Sequence, residues 1–116
     1  LNCAYNTESA YYDNAIGQLR SDPVKAKEYE ALVREAYEVA LAKGVGVKQE
    51  HVDAIMHRFY YELAEDATSS LQRDIRAGKR AEVETFSGYI VQEAERLGIS
   101  VPVTEKMYEG LKALQK

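Results

Sequence analysis

The sequence predicts an all-α fold, with one helical domain of about six helices. The chain contains only two prolines, and no run of alternating β-branched residues indicates a strand. Apolar residues instead recur at steps of three and four along most of the chain, which is the period of amphipathic helices. Because 46% of the 116 residues are hydrophobic, one core can form, and we expect residues 1–116 to be a single domain.

Three helices are predicted in the N-terminal half. The first covers residues 1–19. The second starts where Asp22 can cap it and Pro23 fits the first turn, and it ends at Lys43-Gly44. Its charged side chains are expected to form a solvated face; they are Lys25, Lys27, Glu28, Glu30, Arg34, Glu35 and Glu38. The third helix is predicted from the apolar spacing of Val52, Ile55, Met56, Phe59 and Leu63.

Three more helices are predicted in the C-terminal half. The hydroxyl residues at 68–70 can cap a short helix over residues 71–76, and the fifth helix ends at Gly98. The apolar residues of this fifth helix are Val83, Phe86, Tyr89, Ile90 and Leu97. Residues 99–103 are expected to be extended, because a residue before proline avoids the α region, and Thr104 is then expected to cap the last helix.

The net charge and the number of cysteines limit which binding partners and which cellular compartment are expected. A formal charge of -4 and the absence of a basic stripe argue against nucleic acid, because phosphate binding needs a positive field. The single cysteine, Cys3, cannot form a disulfide within the chain, which favours a reducing compartment and hence the cytoplasm. No apolar run approaches the roughly 20 residues of a membrane-spanning helix.

Simple motifs for metals and phosphates are not matched. His51 and His57 are six residues apart, whereas two ligands on one helical face are three or four apart, so no metal site is predicted. Gly44 and Gly46 follow a helix and not a strand, which argues against a phosphate-binding loop.

Two polar features exceed what a simple helical bundle requires. Asn2 and Asn6 are one helical turn apart and offer paired amides that can donate and accept hydrogen bonds. The stretch 68–82 places hydroxyls at one helix start and Glu82 at the next, with a turn at Gly78 between them. From the residues alone, each feature has two readings: ligand-binding groups, or surface residues and helix caps.

At these two stretches the sequence resembles a known family. Residues 2–6 match a pair of asparagines four apart, and residues 69–82 match the signature Ser-Ser-x-x-x-Asp-Ile-x-Ala-Gly-x-x-x-Glu. The segments 87–89 (Ser-Gly-Tyr) and 97–104 (Leu-Gly-Ile-Ser-Val-Pro-Val-Thr) follow in the expected order. The chain thus resembles the C-terminal domain of ketopantoate reductase (2-dehydropantoate 2-reductase), an NADPH-dependent oxidoreductase of pantothenate and coenzyme A biosynthesis. The fold implied is that of the 6-phosphogluconate dehydrogenase C-terminal-like domains.

The resemblance implies a reaction and a role for each matching residue. NADPH would reduce the keto carbon of a 2-oxo acid, and the proton donor would be a lysine two positions before Leu1. Asn2 and Asn6 would hold substrate oxygens, and Ser70 would donate to the substrate carboxylate. Glu82 would accept hydrogen bonds from a ribose of the cofactor. No metal is implied.

The resemblance also implies how the domains of the family's proteins are arranged. At one position the sequence departs from the family's pattern. The chain would be the helical substrate-binding and dimerisation domain, inactive by itself, with an N-terminal NADPH-binding Rossmann domain as its partner. The family's third substrate-binding asparagine, ten residues after the second, is Ile16 here, so the identity of the 2-oxo acid stays open. The alternative function is a non-catalytic helical module for binding or dimerisation.

Overall fold

The computed structural model describes residues 3–78 and 83–114, and within these ranges it contains helices and no strand. The seven α-helices are α1 Cys3–Tyr12, α2 Ile16–Ser21, α3 Pro23–Ala42, α4 Gln49–His57, α5 Ser70–Arg76, α6 Ser87–Leu97 and α7 Pro102–Leu114. A π-helical segment, Arg58–Glu62, continues α4, and a 3₁₀ turn, Val83–Thr85, precedes α6. The predicted all-α fold is confirmed. No helix in these ranges is both long enough and apolar enough to cross a membrane.

Helix α3 is the central element of the domain. It packs against α1, α2, α4, α6 and α7, and its buried residues form much of the main core. Tyr29 of α3 stacks on Phe59 of the π-helical segment with ring centroids 3.8 Å apart. Because both rings are almost completely buried, this contact fixes the position of the π-helical segment against α3.

Several helix boundaries follow the local signals in the sequence. Asp22 caps α3 by accepting from the backbone N–H groups of Val24 at 2.9 Å and Lys25 at 3.3 Å. Ser69 caps α5, and Gly98 ends α6 with a φ of 74°, a left-handed conformation that glycine adopts without strain.

The predicted continuous helix over residues 1–19 is wrong. The chain turns after Tyr12, where Asp13 has a φ of 53°. Asp13 Oδ1 accepts from Gln72 Nε2 at 3.1 Å and Arg76 Nε at 2.5 Å, so α5 holds the turn in place. The turn redirects α2 and leaves Ile16 and Leu19 completely buried.

The third predicted helix is not a regular α-helix along its whole length. It begins at Gln49 and becomes π-helical at Arg58.

The predicted cap at Thr104 is wrong as well. Helix α7 begins at Pro102, two residues earlier, with proline in the first turn. The cap comes from Glu35 on α3, whose carboxylate accepts from Val103 N at 3.1 Å, Thr104 N at 2.8 Å and Thr104 Oγ1 at 2.6 Å. The prediction that all charged residues of the second helix are solvated is therefore wrong for Glu35, because its carboxylate is bonded to α7.

Glu28 is the second charged residue of α3 that joins other helices. It accepts hydrogen bonds from the Tyr12 hydroxyl and from Lys106 Nζ, the latter at 2.5 Å. Its side chain is only 14% exposed, and its two hydrogen bonds link α1 and α7 to α3.

The fifth predicted helix is interrupted at Phe86, which separates the 3₁₀ turn from α6.

Candidate functional site

A cleft of about 580 Å³ opens between α1, α5 and the end of α4. Its apolar wall consists of Ala54, Ile55 and Leu63, and the rings of Tyr5 and Tyr29 also line it. The polar lining is formed by Asn6, Thr68, Ser69, Ser70, Arg58 and Arg73. The volume lies within the range of about 300–1,000 Å³ that small-molecule sites occupy.

Buried hydrogen bonds between α1 and the start of α5 build the floor of the cleft. The hydroxyls of Ser9 and Ser69 are 2.6 Å apart. Ser69 Oγ accepts from Gln72 N at 3.1 Å, and Ser9 Oγ donates to Tyr5 O at 2.6 Å. Both hydroxyls are therefore satisfied when Ser69 donates to Ser9, and this chain of hydrogen bonds sets the register between the two helices.

That register brings Asn6 and Ser70 together, although they are 64 residues apart in sequence. Ser70 Oγ donates to Asn6 Oδ1 at 3.4 Å, and Leu71 N donates to the same oxygen at 3.4 Å. Asn6 is only 5% exposed, whereas Ser70 is exposed at the rim of the cleft. The Tyr5 hydroxyl donates to Thr68 O at 2.8 Å and supports the segment that leads into α5.

Of the remaining predicted site residues, Asn2 and Glu82 lie outside the described residues, and the lysine expected before Leu1 is not among residues 1–116. Ile16, which replaces the family's third asparagine, is completely buried in the main core, and the cleft is not lined by it. Its backbone N–H donates to Ala67 O at 3.1 Å, which ties α2 to the segment before α5.

Arg58 and Arg73 were missed by sequence reasoning. Arg73 follows Ser70 by three residues, which is one helical turn, so the spacing alone placed it on the face that carries Ser70. Arg58 lies where α4 becomes π-helical, and no local sequence signal marks that change.

Glu8 is a further polar residue that the sequence did not single out. It is completely buried, and neither carboxyl oxygen has a hydrogen-bond partner among the residues that the structure describes. Burial, and secondly the charge of the neighbouring Glu28, raise the pKa of Glu8 from 4.5 to about 9, although Lys25 and Lys106 act in the opposite direction. Glu8 is therefore protonated near neutral pH. It lies two residues after Asn6, on roughly the opposite face of α1, and does not line the cleft.

The two histidines are not grouped with other metal ligands. His51 Nδ1 accepts from Lys48 N at 2.9 Å, and His57 Nδ1 lies 3.0 Å from Glu62 Oε2. Within residues 3–78 and 83–114, no cluster of three or more histidine, cysteine, aspartate or glutamate side chains is placed to hold a metal ion.

The fold and the cleft define a helical domain with a cleft that combines amide, hydroxyl and guanidinium groups. Over residues 1–115, the sequence matches the family described as "Ketopantoate reductase PanE/ApbA C terminal". The chain therefore belongs to the family of ketopantoate reductase C-terminal domains.

Known proteins of this family resemble the chain over its whole length. It is 28% identical over 116 residues to 2-dehydropantoate 2-reductase of Salmonella typhimurium, covering 97% of this chain and 36% of that protein. It is 30% identical over 118 residues to the Halobacterium salinarum protein of the same name, covering 100% of this chain and 38% of that protein. The chain thus spans little more than a third of these relatives.

Solved structures of ketopantoate reductases contain a domain with the same fold. A family ketopantoate reductase from Ralstonia eutropha superposes with a TM-score of 0.87 at 28% identity, covering 98% of this chain and 38% of that one. Ketopantoate reductase from Staphylococcus aureus, described as dimeric, superposes with a TM-score of 0.90 at 24% identity, covering 98% and 39%.

Proposed function

We propose that this chain is the substrate-side domain of an NADPH-dependent 2-oxo acid reductase, a cytoplasmic 2-dehydropantoate 2-reductase that converts ketopantoate to pantoate. The observation that carries the proposal is the meeting of Asn6 and Ser70 in one cleft, since these are the two described residues to which the resemblance gives a substrate-binding role. Relatives that match the whole chain carry the name of this enzyme, which supports the choice of substrate.

The residues of the cleft fit a small 2-oxo acid. When substrate binds, the Ser70 hydroxyl at the rim turns from Asn6 Oδ1 and donates to the substrate carboxylate, and the Asn6 amide holds a second substrate oxygen. Amides and hydroxyls suit this task because they bind oxygen atoms without titrating near neutral pH. The hydrogen bonds between Ser9 and Ser69 keep both groups at a fixed separation before substrate arrives, and such preorganisation lowers the entropy lost on reaching the transition state.

NADPH, when bound, supplies the hydride that adds to the keto carbon. The lysine that the resemblance places upstream of Leu1 gives a proton to the oxygen, so the carbonyl becomes a hydroxyl. Asn2 lies one turn before Asn6 in the sequence and shares its role, and Glu82 binds a ribose of the cofactor. The N-terminal Rossmann domain is the proposed partner that closes the cleft, and the domain also forms a homodimer.

The experiment uses the complete protein and a matched pair of adjacent serines. NADPH oxidation is followed with ketopantoate as substrate. Ser70→Ala should raise KM for ketopantoate with little change in the melting temperature. Ser69→Ala should instead lower stability by about 1–2 kcal/mol, because Ser69 is the buried cap of α5.

Two results would contradict the proposal. One is a complete protein that lacks a Gly-x-Gly-x-x-Gly unit and the upstream lysine, and oxidises no NADPH with 2-oxo acids; this outcome would favour the binding or dimerisation module. The other is a Ser70→Ala variant that behaves like Ser69→Ala, with lower stability and an unchanged KM.

A further inference from the structure

The arginines of the chain divide into two groups according to their partners. Within the described ranges, six arginines are present, and four of them pair with a carboxylate: Arg20 with Glu65, Arg34 with Glu30, Arg76 with Asp13 and Arg96 with Glu93. Arg58 and Arg73 have no such partner among the residues that the structure describes. Both of them line the cleft.

The two guanidinium groups reach the cleft from different elements. Arg73 lies on α5, and its Nη1 donates to Thr68 O at 3.2 Å and Thr68 Oγ1 at 3.0 Å. These bonds hold the side chain back toward the start of α5, where Ser70 lies. Arg58 comes from the end of α4, in the wall that also contains Ala54 and Ile55.

Arg58 and Tyr29 line the cleft together. Tyr29 is itself only 3% exposed. Burial raises the pKa of Tyr29, and the positive charge of Arg58 opposes that rise, which agrees with their shared position in the lining.

We propose that Arg58 and Arg73 are anion-binding residues of the substrate site, which hold the carboxylate of the 2-oxo acid together with Ser70. This inference rests on the proposed function. A guanidinium group presents a planar fork of donors that matches a carboxylate with two parallel hydrogen bonds. Two cations in one cleft, neither paired with a carboxylate of the described residues, also create a local positive field that attracts anionic substrates, although the net charge of the chain is -4. Arg58 and Arg73 thereby select an ionised substrate over a neutral one.

The test compares an acid with its neutral counterpart in the complete reductase. Arg58→Gln and Arg73→Gln are assayed with ketopantoate and with the amide of the same acid, which has the same skeleton but no charge. Each substitution should lower kcat/KM for the acid by roughly 10- to 100-fold, the usual range for a hydrogen bond to a charged group. The loss should lie mainly in KM. Because the amide carries no charge, its kcat/KM should change much less than that of the acid. The acid-to-amide ratio of kcat/KM should therefore fall.

Controls separate this role from a structural one. Arg34→Gln removes an exposed arginine that pairs with Glu30 outside the cleft, and it should leave the acid-to-amide ratio unchanged. Arg58→Lys and Arg73→Lys keep the charge without the fork and should recover part of the loss. Melting temperatures of all variants are measured in parallel.

A third substrate identifies the source of the anionic group. If the loss appears with 2-oxoglutarate and not with ketopantoate, the arginines bind a second carboxylate and not the one beside the keto group, and the inference is wrong. If acid and amide lose activity equally, or if only the KM for NADPH rises, the inference is wrong while the proposed function stands. If the wild-type protein reduces none of these 2-oxo acids, the proposed function itself fails.

Discussion

Glu8 places an ionisable carboxyl group in the interior of the domain, and replacing it tests the electrostatic reasoning. Its side chain is completely buried, and neither oxygen has a hydrogen-bond partner within the described part of the chain. The charged groups that act on it come from two helices and their ends: Asp22, Lys25 and Glu28 at the start of α3, and Lys106 on α7. We predict that Glu8→Leu stabilises the protein and removes part of its pH dependence.

The magnitude follows from the two pKa values. The pKa of Glu8 is about 9 in the folded protein, against 4.5 for an ordinary glutamate. The stability contributed by this group is fully present below pH 4.5 and is lost as the pH rises toward 9, because the unfolded chain ionises first. Each pH unit above 4.5 costs about 1.4 kcal/mol, so the loss is roughly 3 kcal/mol at pH 7 and below about 1 kcal/mol at pH 5.

The assay is urea unfolding of the chain, followed by circular dichroism between pH 5 and 8. The wild-type free energy of unfolding should fall over this range, and the fall should be much smaller for Glu8→Leu. Glu8→Gln, which keeps the shape but cannot ionise, should show the same loss of pH dependence even if packing alters its absolute stability. Glu38→Gln changes an exposed carboxylate on α3 and is the control.

The reasoning is refuted if Glu8→Gln and Glu38→Gln show the same pH dependence. It is also refuted if both Glu8 variants lose stability at every pH, since that result would mean that the ionised carboxylate has a stabilising partner.

Two further substitutions test the packing of α7. Glu35→Ala should lower the free energy of unfolding by about 1–2 kcal/mol, because α7 loses the carboxylate that accepts its first-turn hydrogen bonds; an effect no larger than that of Glu38→Ala in urea unfolding would argue against this cap. Gly110→Ala should lower it by about 1–3 kcal/mol, because the added Cβ would overlap the ring of Tyr11. Gly46→Ala, whose Cβ would meet no atom within 4 Å, is the control, and equal melting temperatures for the two variants would contradict the predicted clash.

Much of the fold was predictable because its signals are local. Asp22 and Pro23 mark the start of α3, Ser69 marks the start of α5, and Gly98 marks the end of α6. Each of these residues acts on backbone groups within a few positions of itself, so the spacing in the sequence already contains the interaction.

The break between α1 and α2 was not predictable in the same way. The apolar spacing continues from Tyr12 to Ile16, so the pattern favours one helix. Asp13 instead adopts a positive φ, and its carboxylate is held by Gln72 and Arg76, about sixty residues away in the chain. A contact over that separation leaves no trace in the local pattern.

In the candidate site, too, some features were predictable from the sequence and others depend on contacts between distant residues. Asn6 and Ser70 were identified from the sequence through the family they resemble, but the separation between them depends on the buried pairing of Ser9 with Ser69. Arg58 lines the cleft from the first position of the π-helical segment, whose next residue, Phe59, stacks on Tyr29 of α3.

The sequence by itself determined the helical class, several helix ends and the family, because period and capping act over a few residues. Only the tertiary structure decided which charged residues are partners and which line a cleft. Glu35 was predicted to lie on a solvated face yet caps α7, and Arg58, which no sequence signal singled out, lines the cleft. The physical reason is that such contacts depend on how helices pack against each other, and their free energy appears only once the chain has brought distant residues together.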